Sequence, residues 1–110
     1  AVEQLVEVFL DAHARGARIF TMGNGGSGAS ASHAAGDFLK GASYGLDKRF
    51  TMICLNDNLP SMMAIANDIG WDDIFVEPLK NYLQPGDVVI GMGAGSIGQL
   101  PARLAGGGAE

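Results

Sequence analysis

Hydrophobic residues are concentrated in three short and mostly apolar runs, and between these runs they recur at helical spacing. The runs are residues 18–22, 50–55 and 88–92. Apolar runs of this length predict β-strands, and the almost wholly apolar run at 50–55 is typical of a parallel strand that is covered on both faces. The spaced segments predict helices at residues 2–14, 27–39, 60–70 and from 71 onward, with a short last helix at 99–105. The alternation of strands and helices predicts an α/β fold, a three-layer doubly wound parallel sheet.

The apolar positions also predict which residues of each helix pack inward. In the first helix these are Val2, Leu5, Val6, Phe9 and Leu10. The helix that Pro60 opens would pack through Met62, Met63, Ile65 and Ala66. The helix that begins at Trp71 would pack through Ile74, Phe75, Leu79 and Leu83, and the last helix through Leu100 and Leu104.

The first strand runs directly into Gly23-Asn24-Gly25-Gly26-Ser27-Gly28, and a segment of small residues follows. A strand, a glycine loop and a helix start in this order build an anion site. Glycine lets the backbone approach a ligand, and the first N–H groups of a helix are free to bind one. Two alternatives remain open: a flexible turn with Ser27 as the helix N-cap, and the dinucleotide fingerprint G-x-G-x-x-G, for which Asp57 lies further along the chain than the expected acid.

Composition and charge limit the classes of function. The chain has 110 residues, 47% hydrophobic and 17% charged, which is typical of one folded domain. The net charge of −5 argues against nucleic-acid binding. Neither a membrane span nor a signal peptide is predicted, so we expect a cytoplasmic protein with no membrane partner. The single cysteine, Cys54, is predicted to be a core residue.

Four motifs together resemble one family. They are Gly23-Asn24-Gly25-Gly26-Ser27 with His33 six residues later, Asn56-Asp57-Asn58, Ala64-Ile65-Ala66-Asn67-Asp68-Ile69-Gly70, and Pro85-Gly86-Asp87-Val88-Val89-Ile90-Gly91. In order and spacing, residues 1–91 resemble the SIS (sugar isomerase) domain of phosphoheptose isomerases, which convert sedoheptulose 7-phosphate to a heptose 7-phosphate. The resemblance implies the strand order 2-1-3 and a homo-oligomer that pairs through helices.

The resemblance also implies roles for particular residues. A sugar phosphate or free phosphate would bind Asn24, Gly25, Gly26 and Ser27, and the sugar hydroxyls would lie near Asp57, Asn58 and Asp68. His33 and Asp37 would be catalytic and would also be metal ligands, with zinc as the metal that the resemblance suggests; no cofactor is needed for the fold. The alternative for His33 and Asp37, which are four residues apart, is a helix-surface pair without function.

Residues 92–110 depart from the family pattern. The family has a serine- and threonine-rich phosphate loop after the third strand, whereas this chain offers Ser96 alone, and it ends before the family's late catalytic helix. Residues 86–108 look more like the C-terminal part of UDP-N-acetylmuramate–alanine ligase, a Mur ligase, which suggests a chimera or a truncated member. We therefore expect a single partial SIS-like domain at 1–110 that binds phosphosugar with little or no activity. The alternatives are a non-catalytic engineered or recombined module with a relic anion site, and, third, nucleotide binding.

Overall fold

A computed structural model of the chain describes residues 2–93 and Leu100. Its helices are α1 (Val2–Arg15), α2 (Gly26–Gly36), α3 (Leu59–Asp68) and α4 (Val76–Tyr82), and its strands are β1 (Arg18–Gly23), β2 (Thr51–Cys54) and β3 (Val88–Met92). The three strands are parallel in the order β2-β1-β3, so the predicted α/β class and strand order are confirmed. No helix among the described residues is long and apolar enough to cross a membrane.

The sheet separates two apolar clusters because successive side chains of a strand point to opposite faces. Ile19 lies in the first cluster, with residues of α1 and α2, and its neighbour Phe20 lies in the second, with residues of α4. The buried members of the first are Ala12, Ile19, Ala31, Ala35, Met52 and Cys54. Those of the second are Phe20, Met22, Leu55, Ile74, Phe75, Val76, Leu79 and Leu100. Helices therefore cover both faces of β1, as a three-layer fold requires.

The outer elements are less covered than their sequences predict. Strand β2 is buried only at alternate residues, and Ile53 is 40% exposed, so the prediction of cover on both faces is wrong for this edge strand. Helix α3 has no buried residue, and Met63 is exposed although it was predicted to pack. In α1 only Ala12 is buried, and the predicted inward residues Val2, Leu5, Val6 and Leu10 are exposed. Hydrophobic spacing specifies a face, but it does not supply the neighbour that covers it.

The α-helical part of α2 ends at Gly36 and not at residue 39 as predicted. A π-helical segment, Asp37–Gly41, follows directly, and in it the N–H of Ala42 donates to the carbonyl of Asp37. The segment lies beside an aromatic cluster in which the Phe38 ring meets the rings of Phe9 and Phe50 edge to face, at 5.0 and 4.9 Å between centroids. The helix predicted from Trp71 also begins later, because Trp71–Asp73 forms one 3₁₀ turn before α4.

An ion pair joins the beginnings of β1 and β3. The guanidinium of Arg18 bonds both carboxylate oxygens of Asp87, at 2.7 and 3.3 Å, and the Asp87 side chain is only 7% exposed. The hydrogen bonds from Arg18 lower the pKa of Asp87, and the N–H of Gln84 acts in the same direction, while burial opposes both. This contact fixes the turn before β3 against the start of the central strand.

Candidate functional site

The glycine loop lies where the carboxyl end of β1 meets the N-terminus of α2. The N-cap is Gly25, with φ +55° and ψ −123°, and no side chain caps the helix. The prediction that Ser27 is the N-cap is therefore wrong. A positive φ at Gly25 lets the chain turn into the helix two residues earlier, so Ser27 already lies within the first turn.

Three glycines allow the backbone to pack closely here. A Cβ at Gly23 would lie 2.7 Å from backbone atoms of Ser27 and 2.9 Å from the carbonyl oxygen of Met92. A Cβ at Gly28 would lie 2.6 Å from the carbonyl oxygen of Gly23, and one at Gly93 would lie 2.6 Å from Oγ of Ser27. The ends of β1 and β3 and the first turn of α2 thus converge on one small volume at the carboxyl edge of the sheet. In open α/β sheets ligands bind at this edge.

The donors at this edge are backbone and hydroxyl groups. The N–H groups of Ser27 and Gly28 donate to the carbonyl of Asn24, at 3.0 and 3.3 Å, which closes the first turn of α2. Gly25 and Gly26 precede these bonds and are exposed, whereas Asn24 and Ser27 are half-buried. The predicted phosphate-binding residues therefore lie side by side at a helix N-terminus, where the helix dipole favours an anion.

Asn56 has a position that sequence reasoning missed. Its side-chain Oδ1 accepts from the N–H of Gly23 at 3.1 Å, and its Nδ2 donates to the carbonyl of Gly23 at 2.7 Å. The side chain thus joins the end of β2 to the beginning of the glycine loop. The signal in the sequence was an amide residue one position after a strand that ends beside a glycine loop, but no pattern specifies which backbone it will bond.

The remaining predicted substrate residues lie along α3 and in the 3₁₀ turn before it. Asp57 is exposed and accepts from the Ser32 hydroxyl of α2 at 2.6 Å. Asn58 is the N-cap of α3, and its Oδ1 accepts from the N–H of Ser61. Asp68 is the last residue of α3, about 15 Å from Asn58 at 1.5 Å per residue. The structure therefore brings Asp57 to α2 but does not place Asp68 beside Asn58; Ser96 lies outside the described residues.

His33 lies on the outer surface of α2, and Asp37 lies one turn later, at the start of the π-helical segment. The distance between His33 Nε2 and Asp37 Oδ2 is 3.4 Å, and the side chains are 79% and 68% exposed. Two ligands bound to a tetrahedral zinc ion at about 2.0–2.1 Å lie roughly 3.3 Å apart, so the pair fits two corners of such a site. No group of three His, Cys, Asp or Glu side chains that could hold a metal exists among residues 2–93 and Leu100. The pair alone therefore supplies only two zinc ligands.

A cavity of about 540 Å³ lies elsewhere, on the face of the sheet that carries α3 and α4. Phe20, Ile53 and Leu55 contribute apolar side chains to its lining, and Ser61 and Asn81 contribute polar ones. No residue of the glycine loop lines it. The cavity is therefore separate from the candidate anion site.

Comparison with known proteins relates this chain to one group of enzymes. It is 34% identical over 93 residues to the phosphoheptose isomerase of Citrifermentans bemidjiense, a match that covers 84% of this chain and 47% of the relative. It is 30% identical over 92 residues to the phosphoheptose isomerase of Clostridium acetobutylicum, covering 83% of this chain and 46% of the relative. The chain thus spans about half the length of the curated relatives it matches. No protein-family model matches it.

Solved structures give the same result. The phosphoheptose isomerase of Neisseria gonorrhoeae superposes with a TM-score of 0.78 at 25% identity, over 94% of this chain and 54% of that one. The phosphoheptose isomerase of Francisella tularensis has the same fold, with a TM-score of 0.78 at 18% identity over 94% of this chain and 57% of that one. The chain is therefore similar to phosphoheptose isomerases over most of its length. The suggested Mur ligase origin of residues 86–108, and with it a chimera, has no support, and most of that stretch after Gly93 lies outside the described residues.

Proposed function

We propose that this chain is the phosphosugar-binding part of an SIS-domain phosphoheptose isomerase, and that its ligand is sedoheptulose 7-phosphate or a similar sugar phosphate. The observation that carries the proposal is the glycine loop. A Cβ at Gly23 or Gly28 would collide with backbone atoms, and Gly25 and Gly26 are exposed at a helix N-terminus. A region similar to phosphoheptose isomerases thus also carries the backbone geometry that a phosphate group needs.

In this proposal the phosphate end of the sugar binds at Asn24, Gly25, Gly26 and Ser27, and the sugar chain extends toward Asp57. Aldose–ketose isomerisation moves a proton between C1 and C2 and needs a positioned general base. The His33 imidazole is the candidate base on α2, and Asp37 can orient it at 3.4 Å. Zinc would supply charge stabilisation to the sugar oxygens if further ligands completed its site.

The chain by itself is proposed to bind its ligand weakly and to turn over little or none of it. His33 and Asp37 are open to solvent, and a solvated pair neither excludes water nor holds a sugar in a reactive pose. A positioned acid or base contributes about 10²- to 10⁴-fold to the rate. If no second acid or base besides Asp37 joins His33 in the described part of the chain, the rate should fall by at least that factor.

A turnover assay with sedoheptulose 7-phosphate, with and without added zinc, tests the proposal about activity. We expect a rate indistinguishable from background in both cases. His13→Ala is the control for His33→Ala, because His13 is the other histidine and lies on α1, stacked on Phe50. Turnover that His33→Ala abolishes and His13→Ala preserves would contradict this proposal and show that the chain, as a monomer or an assembly, is a complete isomerase.

The second candidate function is a non-catalytic module that keeps the glycine loop as a relic. The exposure of His33 and Asp37 favours it, together with the lack of a third metal ligand in the described part of the chain. The two candidates differ in binding: the first predicts saturable binding of sedoheptulose 7-phosphate, and the second predicts none. Isothermal titration calorimetry with the sugar phosphate distinguishes them.

We further propose that the chain is a homo-oligomer that pairs through helices. Helix α1 exposes Val2, Leu5, Val6 and Leu10, of which Val2 is 75% exposed, and an exposed apolar helix face of this kind is typical of a protein–protein contact. Light scattering after size-exclusion chromatography should give a mass above that of one chain, and Leu10→Glu should lower it. A monomer at all concentrations would contradict this proposal.

A further inference from the structure

We infer that Asn56 is a positioning residue for the glycine loop. Its carboxamide bonds the N–H and the carbonyl of Gly23 where no residue of β2 pairs with them, and it thereby holds the backbone of Gly23 in the orientation that anion binding needs. The inference rests on the proposed phosphate site. It assigns a role to a residue that contacts no predicted catalytic group.

The argument begins with where the strands stop pairing. Strand β1 pairs with β2 only as far as Thr21, opposite Cys54, whereas on its other side it pairs with β3 as far as Gly23, opposite Met92. After Cys54 the chain leaves the sheet in a 3₁₀ turn, Leu55–Asp57. On the β2 side, therefore, no strand backbone pairs with Gly23. Because Gly23 is buried, water does not readily replace a protein partner there.

The Asn56 side chain supplies both the acceptor and the donor that Gly23 lacks on the β2 side. One carboxamide accepts from the N–H of Gly23 at 3.1 Å and donates to its carbonyl at 2.7 Å, so the two bonds form a closed ring like one rung of a sheet. Only a side chain that carries a donor and an acceptor on one planar group can do this. Cys54 Sγ, 3.6 Å from the same Oδ1, makes a further contact with it.

The same carboxamide determines how closely α2 approaches. A Cβ at Gly28 would lie 2.6 Å from Nδ2 of Asn56 and 2.6 Å from the carbonyl oxygen of Gly23. The first turn of α2 thus lies directly on the Asn56–Gly23 ring. A change in the ring therefore tilts the N–H groups of Gly25 and Gly26, which are the groups proposed to bind the anion.

Asn56→Asp is the informative substitution, because it keeps the shape and changes the hydrogen bonding. A carboxylate accepts from the N–H of Gly23 but repels its carbonyl. A protonated carboxyl group restores one donor and one acceptor. The half-buried position beside a carbonyl favours the protonated form, so the bonding pattern should return as the pH falls. Asn81→Asp is the matched control, because it makes the same chemical change on α4, away from the loop.

The experiment is a titration of the full chain with sulfate, which stays a dianion between pH 7.5 and 5.5, followed by amide NMR. At pH 7.5 we expect N56D to bind sulfate roughly tenfold or more weakly than N81D, the effect of one misplaced donor to a charged group. At pH 5.5 we expect the difference to narrow. Loss of packing alone would not give this recovery, but direct repulsion of sulfate by the introduced carboxylate would. Asn56→Ser, which removes the ring without adding charge, separates positioning from repulsion, and it should bind sulfate more weakly than the unaltered chain at both pH values.

Three results overturn parts of the account separately. Equal sulfate affinity of N56D and N81D at pH 7.5, or a loss that does not recover at pH 5.5, overturns the positioning role. If the unaltered chain does not bind sulfate, the proposed anion site fails. Hydrogen exchange of the Gly23 amide then decides whether Asn56 holds the loop: faster exchange in N56D supports the positioning role, and unchanged exchange overturns that role. If N56D does not fold, Asn56→Ser, which removes the ring without adding charge, must still weaken sulfate binding relative to N81D or to the unaltered chain.

Discussion

Replacing Asp87 with asparagine should destabilise the fold by breaking the ion pair between β1 and β3. Asp87→Asn keeps the size of the side chain and can still accept from the N–H of Gln84, which lies 2.9 Å from Oδ2. It removes the charge that holds the Arg18 guanidinium at 2.7 and 3.3 Å. The substitution therefore removes the negative charge of the Arg18–Asp87 ion pair and changes little else.

The expected magnitude follows from burial. Hydrogen bonds to a charged group contribute roughly 1.5–3 kcal/mol. The Asp87 side chain is 7% exposed, but that of Arg18 is 30% exposed and partly screened by water, so the lower half of this range applies. We expect a loss of about 2 kcal/mol in the free energy of unfolding, which lowers the melting temperature by roughly 8 °C or more in a domain of this size.

The effect should depend on pH in a defined direction. Arg18 lowers the pKa of Asp87 in the folded chain, so the carboxylate stabilises the fold fully above the ordinary carboxyl pKa of about 4. That contribution is lost as the pH falls through the lower folded-state pKa. Urea unfolding of the unaltered chain and of D87N should therefore differ by a constant amount from pH 7 to about pH 5, and the difference should shrink below about pH 4.

Asp11→Asn is the control for this prediction. Asp11 pairs with Arg15 at 2.8 Å on the surface of α1, with side chains 65% and 44% exposed, so its loss should cost about 0.5 kcal/mol or less. Equal costs for D11N and D87N would refute the argument from burial. A D87N difference that stays the same down to pH 3 would refute the assignment to the Asp87 charge.

Three further predictions concern packing. Leu100→Ala should lower the free energy of unfolding by about 2–3 kcal/mol in urea, because Leu100 is 5% exposed in the second cluster; a change below about 0.5 kcal/mol would mean that this residue covers nothing. Gly23→Ala should destabilise the fold by at least about 1–3 kcal/mol, because its Cβ would meet backbone atoms of Ser27 and Met92. Gly36→Ala, which has open space in α2, should stabilise the fold by about 0.5–1 kcal/mol. A Gly23→Ala chain more stable than the Gly36→Ala chain would contradict the described loop. Cys54, whose pKa is raised by burial, should react with a thiol reagent at pH 8 far more slowly in the folded chain than in urea, and equal rates would count against a buried thiol.

The sequence predicted the central part of the fold well because the signals there are local. Apolar runs and glycine boundaries located β1, β2 and β3 to within about two residues, and the resemblance to SIS domains predicted the order β2-β1-β3. The outer elements were predicted less well. Whether Ile53 or Met63 is covered depends on which element packs over it, and spacing along the chain carries no such information.

The site was predicted as a set of residue types at the correct edge of the sheet, but not as a geometry. Gly25, and not Ser27, is the N-cap of α2, because the choice between two cap positions depends on one backbone φ angle. Asn56 was recognised as part of a motif without a role. Its two bonds to Gly23 form because the pairing of β1 with β2 stops at Thr21, two residues before β1 itself ends. The roles of His33 and Asp37 stay predictions.

The most direct test of the central claim, that the glycine loop binds the phosphate end of a sugar phosphate, is an amide NMR titration of the full chain with three ligands: sedoheptulose 7-phosphate, inorganic phosphate and unphosphorylated sedoheptulose. The account predicts that the amides of Gly25 and Gly26 shift first and saturably with both phosphate-containing ligands and stay unchanged with the free sugar. Shifts confined to residues of the separate cavity, such as Ser61 and Asn81, or equal shifts with and without the phosphate group, would contradict it.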